Sequence, residues 1–302
     1  METSYKLTLI RHGETNENRL GIMQGQMDCA LSEVGEQQAR ALGSRLAADK
    51  MEFTHVFSSD LQRAYKTATI SLELLAKQRQ KDTTRTEGES SPGDSTPATH
   101  NGSSSSNDGV AKGAEQGPAT TITRDQLLRE FKYGTGEGKT RVQLNAVAQQ
   151  LGMTLWEYTP PGAESELQME ARTSAFFDKL NSFVRDRCCS EDCAADEAAL
   201  KFTSTPGLAS GGGASAPPAQ PHLAVYTHGG WIRVFLHVLA RKHHLVSRVR
   251  GIPADRLSRV PPNTGVCQFT VRLGDGVTQS SARVECTMAH DAQHLDSIPP
   301  VE

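Results

Sequence analysis

The chain has 302 residues, 36% of them hydrophobic and 22% charged, with 32 Lys and Arg against 35 Asp and Glu for a formal net charge of -3. This is the composition of a globular protein with an ordinary core, and it offers no overall basic field to hold nucleic acid or an anionic membrane surface. Apolar stretches are only a few residues long, as in Leu7-Thr8-Leu9-Ile10 and Leu223-Ala224-Val225-Tyr226, far short of the roughly 20 residues of a helical membrane span, which excludes such a span.

The opening residues, Met1-Glu2-Thr3-Ser4-Tyr5-Lys6, carry neither a basic flank nor an apolar signal run and lead into a strand over 6–10, which predicts a cytoplasmic domain. A helix follows over 33–48, with Ser32 as its N-cap and Val34, Leu42 and Leu46 as apolar positions. Next come a strand over 55–58 and a helix over 60–76. From about 81 to 121 Ser, Gly, Thr and Pro dominate, and between Gly88 and Gly117 Val110 is the one large aliphatic residue. Such a stretch buries too little apolar surface to offset its ordering entropy. Beyond it, a helix over 165–185 carries Leu167, Ala171, Phe176, Leu180 and Phe183 as its core-facing stripe. A second low-complexity segment at 188–221 includes Gly211-Gly212-Gly213 and Pro217-Pro218. It precedes a strand over 223–227 and a helix over 231–240. Two last strands, 266–273 and 282–288, flank the turn-forming Gly274-Asp275-Gly276.

Strands alternating with helices predict an α/β fold, a three-layer sandwich whose central, mostly parallel sheet is flanked by helices. With 81–121 and 188–221 set aside as disordered surface insertions, about 230 residues remain, a length suited to one domain spanning 1–302. The six cysteines, Cys29, Cys188, Cys189, Cys193, Cys267 and Cys286, are too unevenly spaced for a disulfide framework and read as free thiols. Cys188, Cys189 and Cys193 lack a second pair or a histidine at ligand spacing, so no metal site is expected there.

The chemistry concentrates at strand ends. Leu7-Thr8-Leu9-Ile10 runs into Arg11-His12-Gly13, and Leu223-Ala224-Val225-Tyr226 runs into Thr227-His228-Gly229. In open α/β sheets ligands bind beyond the carboxyl ends of the strands, so the two histidines are expected to face one site, with Gly13 and Gly229 leaving their amides open to an anion. A third strand end, Phe57-Ser58-Ser59-Asp60-Leu61-Gln62-Arg63, brings Arg63 into the first turn of the next helix. Arg11 and Arg63 are then two guanidiniums suited to forked contact with phosphate oxygens, and Asn18 and Gln24 add amide donors from the loop after the first strand. Alone, each of these residues reads as an ordinary surface or core side chain; together, around three strand ends, they read as a phosphate site.

Leu9-Ile10-Arg11-His12-Gly13-Glu14-Thr15 with Asn18, Gln24-Gly25, Leu31-Ser32-Glu33-Val34-Gly35, Ser58-Ser59-Asp60-Leu61-Gln62-Arg63-Ala64 and Thr227-His228-Gly229 resemble the histidine phosphatase (phosphoglycerate mutase-like) superfamily. Leu128-Arg129-Glu130-Phe131-Lys132-Tyr133-Gly134, Tyr158-Thr159-Pro160-Pro161-Gly162 and Pro262-Asn263-Thr264-Gly265 are similar to its fructose-2,6-bisphosphatase members. The resemblance implies a phosphohistidine formed on His12, with Arg11, Asn18, Arg63 and His228 holding the phosphoryl oxygens. It implies Glu130 as general acid and then base, and Gly25 and Gly229 within the phosphate cradle. Lys132, Tyr133, Lys139 and Glu164-Ser165 are implied at the mouth. The implied substrate is a small phosphorylated sugar or acid, with fructose-2,6-bisphosphate first and consequent restraint of glycolysis. Neither a metal nor another cofactor is implied, since Arg and His supply the positive charge. Three alternatives stand beside it: a broad phosphatase of 2,3-bisphosphoglycerate and related compounds, a phosphoglycerate mutase, and a weakly active scaffold that binds partners through its insertions.

Overall fold

The strand β1 (Thr3–Arg11) buries side chains on both faces, Tyr5, Leu7 and Leu9 on one and Ile10 on the other. A strand with this two-sided demand runs through the middle of a sheet that is covered by helices above and below. The computed structural model describes residues 3–87, 121–154, 157–189, 220–242, 259–274 and 282–298. After β1 come α1 (Asn16–Arg19), α2 (Glu33–Ala48), β2 (His55–Ser58), α3 (Gln62–Glu87), β3 (Ile122–Arg124), α4 (Arg141–Gln150) and α5 (Glu166–Cys189). The chain continues through β4 (His222–Thr227), α6 (Gly229–Lys242), β5 (Val266–Leu273) and β6 (Arg283–Asp291). The six strands form one sheet in the order β3-β2-β4-β1-β5-β6. The first four are parallel to their neighbours, and β5 and β6 add an antiparallel edge. This is the expected α/β architecture.

Helices α2 and α3 cover one face over Ile10, Leu42, Leu46, Val56, Ala68, Leu72, Ala224 and Tyr226. On the other face α5 and α6 pack over Leu7, Leu9, Val225 and Phe269 through Phe176, Phe177, Trp231 and Phe235. The Trp231 and Phe235 rings stack at 5.2 Å. Both β1 and β4 end at the same level, paired Arg11 to Thr227, so their following histidines emerge side by side.

Several boundaries differ from expectation. Helix α3 starts at Gln62, whose N–H donates to Asp28 Oδ1 at 2.6 Å, and runs to Glu87, so residues 81–87 are helical rather than part of an insertion. The rest of that stretch, residues 190–219, Cys193 and the Asp275-Gly276 turn lie outside the described residues, as do the side chains of Cys188 and Cys189. Strand β3 and helix α4 were not anticipated. In α5, Leu167 is 77% exposed and Ala171 is exposed as well; the buried stripe is Met169, Thr173, Phe176, Phe177, Leu180 and Val184. Leu167 and Ala171 have the right mutual spacing but lie on the solvent side of that stripe.

The start of α2 fixes the end of β1. Ser32 Oγ accepts the Gly35 N–H at 3.1 Å, the expected N-cap. At this crossing a Cβ on Gly35 would lie 2.0 Å from Glu14 O, and one on Gly13 would lie 2.6 Å from Gly35 O. Both obstacles are backbone, which cannot swing aside. Gly35→Ala is therefore expected to cost about 3 kcal/mol in denaturant unfolding; a loss under about 0.5 kcal/mol would refute this packing.

Candidate active site

Beyond β1, His12 is buried, and its Nδ1 lies 2.6 Å from Gly13 O. A carbonyl only accepts, so Nδ1 carries the proton and the Nε2 lone pair is left for attack. Burial, then the charges of Arg63 and Arg11, push the His12 pKa well below 6.5, so the ring is neutral. The His12 main chain is pinned as well. Its N–H donates to Thr227 O at 2.9 Å, and its carbonyl accepts from Asn263 Nδ2 at 3.1 Å and Thr264 N at 3.2 Å.

The ring of His228 lies 5.2 Å from that of His12, tilted by 59°. Ser59 Oγ sits 2.8 Å from His228 Nε2 and accepts the Leu61 N–H at 3.3 Å. The Ser59 hydroxyl proton is thereby free to go to Nε2, leaving Nδ1–H as a donor; Nδ1 is buried without a protein partner. Burial and the Arg63 charge lower the His228 pKa too.

Two guanidiniums flank the pair, that of Arg63 buried and that of Arg11 half-buried. Arg63 donates to Met27 O and Gly25 O, each at 2.7 Å, and Arg11 to Pro261 O at 2.8 Å. Neither has a carboxylate salt-bridge partner among the described residues, and the buried Nε of each lacks a hydrogen bond. Burial lowers the Arg11 pKa to about 10, with Glu130 opposing and Arg63 adding to the shift. One buried and one half-buried cation facing two neutral imidazoles constitute a site that an anion would stabilise.

Glu130 enters from the loop after β3. Its Oε1 accepts from Phe131 N at 2.8 Å and its Oε2 from Gly230 N at 3.0 Å, at the start of α6. The structure thus brings together Arg11, His12, Arg63, Glu130 and His228 as expected, with Gly229 against Arg11, whose Nε lies 3.2 Å from where a Gly229 Cβ would be. Asn18 Oδ1 accepts from Thr15 N and Asn263 Nδ2, both at 3.2 Å, which leaves its NH₂ group as the unused end. Gln24 is buried with Oε1 unpaired. Gly25, at φ 53, carries the carbonyl that holds Arg63; a Cβ there would meet Glu137 Oε1.

Other expectations are corrected. Gly13 does not offer its amide to an anion, because Thr67 Oγ1 accepts it at 2.9 Å. Lys132 is a different case: its side chain is exposed, as a rim position allows, and its backbone is tied to Glu164. Glu164 is half-buried in an ion pair with Arg172 at 2.8 Å, while Ser165 Oγ accepts from Gln168 N in the first turn of α5. Lys139 Nζ is bonded to Thr135 O. Tyr133 does lie near Glu130, its ring 5.2 Å from that of Phe131, with Arg233 and Arg141 as the cations acting on it. Sequence reasoning did not single out Ser59, Thr67, Asn263, Arg172 or Arg233 for these roles. Ser59 and Asn263 stood inside quoted segments, whereas Arg172 and Arg233 gave no signal distinct from solvated helix arginines.

Residues 7–87, which hold His12, Arg11 and Arg63, match the family description "Histidine phosphatase superfamily (branch 1)". Over those residues the chain is similar to the histidine phosphatase superfamily. Over nearly full length it is 29% identical to the Danio rerio protein named fructose-2,6-bisphosphatase TIGAR B, covering 98% of each chain. It is 27% identical to the Xenopus tropicalis fructose-2,6-bisphosphatase TIGAR, covering 97% of this chain and 96% of that one. Among solved structures, a phosphoglycerate mutase from Bacillus anthracis superposes with a TM-score of 0.59 at 18% identity, covering 98% and 96% of the two chains. At that identity the likeness shows the fold alone. No helix among the described residues is long and apolar enough to cross a membrane.

Proposed function

We propose that the chain is a metal-independent phosphatase that works through a phosphohistidine on His12 and removes the 2-phosphate of fructose-2,6-bisphosphate. One observation carries the reading: a neutral imidazole, its Nδ1–H bonded to Gly13 O at 2.6 Å, is framed by the buried Arg63 and half-buried Arg11 guanidiniums, which lack carboxylate salt-bridge partners among the described residues. His12 Nε2 forms the bond to phosphorus as the ester P–O bond breaks, and the leaving alkoxide takes a proton from the Glu130 carboxyl. Glu130, now a carboxylate, takes a proton from water. The hydroxide adds to phosphorus as the P–N bond breaks, which releases phosphate and restores His12. Arg11, Arg63, Asn18 and His228 Nδ1–H hold the equatorial oxygens and their growing charge.

Two observations support the sugar bisphosphate. The relatives matched over almost their whole length carry fructose-2,6-bisphosphatase in their names. In addition, burial and then the Glu130 charge push the Tyr133 pKa up, and the charges of Arg233 and Arg141 partly oppose that rise. Positive charge acting near Tyr133 supports a reading in which a second phosphate is held there. The test is phosphate release in EDTA from fructose-2,6-bisphosphate, fructose-1,6-bisphosphate, 2,3-bisphosphoglycerate, 3-phosphoglycerate and phosphoenolpyruvate. Highest kcat/KM on fructose-2,6-bisphosphate is the expected result. Preference for a three-carbon acid would overturn the substrate, isomer interconversion without phosphate release would make the chain a mutase, and loss of activity in EDTA would overturn metal independence.

A further inference from the structure

Four consecutive carbonyls lead up to Glu130, and other elements hold every one. Leu127 O accepts from Arg172 Nη1 and Trp231 Nε1, both at 2.8 Å, and Leu128 O from Thr227 Oγ1 at 2.7 Å. Arg129 O accepts from Arg172 Nη1 at 2.7 Å. Glu130 O accepts from Arg172 Nη2 at 3.4 Å and Gln26 Nε2 at 3.3 Å. One guanidinium therefore reaches three of the four carbonyls. Arg172 is itself gripped by Glu164, with Nε to Oε1 at 3.0 Å and Nη2 to Oε2 at 2.8 Å. Glu164 is anchored from the other side, its N–H on Lys132 O at 2.9 Å and its Oε2 on Lys132 N at 3.3 Å. Arg172 and Glu164 thus bracket the loop that carries Glu130 from before and after it.

We infer that Arg172, with Glu164 holding it in place, is a positioning residue that sets the Glu130 carboxyl at proton-transfer distance from the leaving oxygen. The planar fork matters more than the charge, because separate N–H groups serve separate carbonyls at fixed angles, which a lysine ammonium cannot reproduce. The inference rests on the reading of Glu130 as the general acid. A proton donor acts only at hydrogen-bond reach of its acceptor, and displacement by about 1 Å costs on the order of a hundredfold in rate.

Positioning of an acid differs from general support of the site in its dependence on the leaving group. An alkoxide must be protonated as it departs, whereas 4-nitrophenolate leaves unaided. The experiment compares kcat/KM, which reports phosphoryl transfer to His12 and not the later hydrolysis that both substrates share, on the best alkyl phosphate of the panel and on 4-nitrophenyl phosphate, for full-length wild type, Arg172→Lys, Arg172→Gln, Glu164→Gln and Glu130→Gln. For both Arg172 variants the alkyl rate is expected to fall about a hundredfold while the aryl rate stays within about threefold. Glu164→Gln should show the same pattern to a smaller degree. If Arg172→Gln does not fold, Arg172→Lys and Glu164→Gln decide. Equal losses on both substrates, or none, in variants that melt like wild type would overturn the inference while Glu130→Gln alone remained leaving-group dependent. If Glu130→Gln also lost both rates equally, the acid assignment would fall, and the role of Arg172 with it.

Discussion

His12→Ala is expected to lower phosphate release by at least about 10⁴-fold, because it removes the attacking atom and no other group can replace it. His228 is the one other imidazole in the site, but its Nε2 is engaged with Ser59 and its Nδ1 is assigned a proton, so it lacks a free lone pair. The substitution should not disturb the fold: His12 contributes one side-chain hydrogen bond, to the neighbouring Gly13, and its main chain is held by Thr227, Asn263 and Thr264. The melting temperature is expected to stay within a few degrees of wild type. Brief mixing of wild type with radiolabelled substrate should leave acid-labile phosphate on the protein, and His12→Ala should leave none. Label that survived in His12→Ala and vanished in His228→Ala would exchange the two roles.

What was legible in the sequence follows from how local each signal is. The strand-end tripeptides were readable because an apolar run that stops at Arg-His-Gly or Thr-His-Gly reports its own geometry: the strand ends, and the polar groups sit where parallel sheets bind ligands. The Ser32 cap was readable because the residue and the amide it serves are three positions apart. By contrast, β3 has three residues, one of them apolar, and exists because β2 offers it an edge more than 60 residues upstream. Helix α4 buries only Leu144 and Ala148, too weak a pattern to stand out. The misread stripe of α5 shows that spacing alone leaves the angular origin of a face undetermined; Met169 and Thr173 set it through contacts made elsewhere in the chain. Arg172 lies on that same helix, where nothing nearby distinguishes a guanidinium that holds three distant carbonyls from one that faces water. Lys132 lies beside the Glu130 motif with an exposed side chain, whereas Arg233, reached through the fold, acts on Tyr133.

Mild acid is expected to destabilise the protein at pH values where carboxylates still hold their charge. Burial lowers the pKa of His12 and His228 well below 6.5, that of His222 to about 4, and that of His294 as well. In the unfolded chain all four titrate near 6.5. Between the two values the unfolded state binds more protons, so stability is complete above about pH 6.5 and declines as the pH falls toward the folded values. Each histidine contributes a slope of up to about 1.4 kcal/mol per pH unit in that window. Against a typical total of about 5–15 kcal/mol, this should lower the melting temperature by about 10 °C or more between pH 7 and pH 5. A flat melting temperature over that range would contradict the burial of these rings. His222 separates the fold from the site, since its Nε2 meets Thr8 Oγ1 at 2.8 Å at the far end of β4 from His228. His222→Gln should therefore flatten the acid slope by one histidine's share without altering the pH profile of turnover. Saturating inorganic phosphate should raise stability at every pH by occupying the site between Arg11 and Arg63, and His222→Gln should leave that increment unchanged.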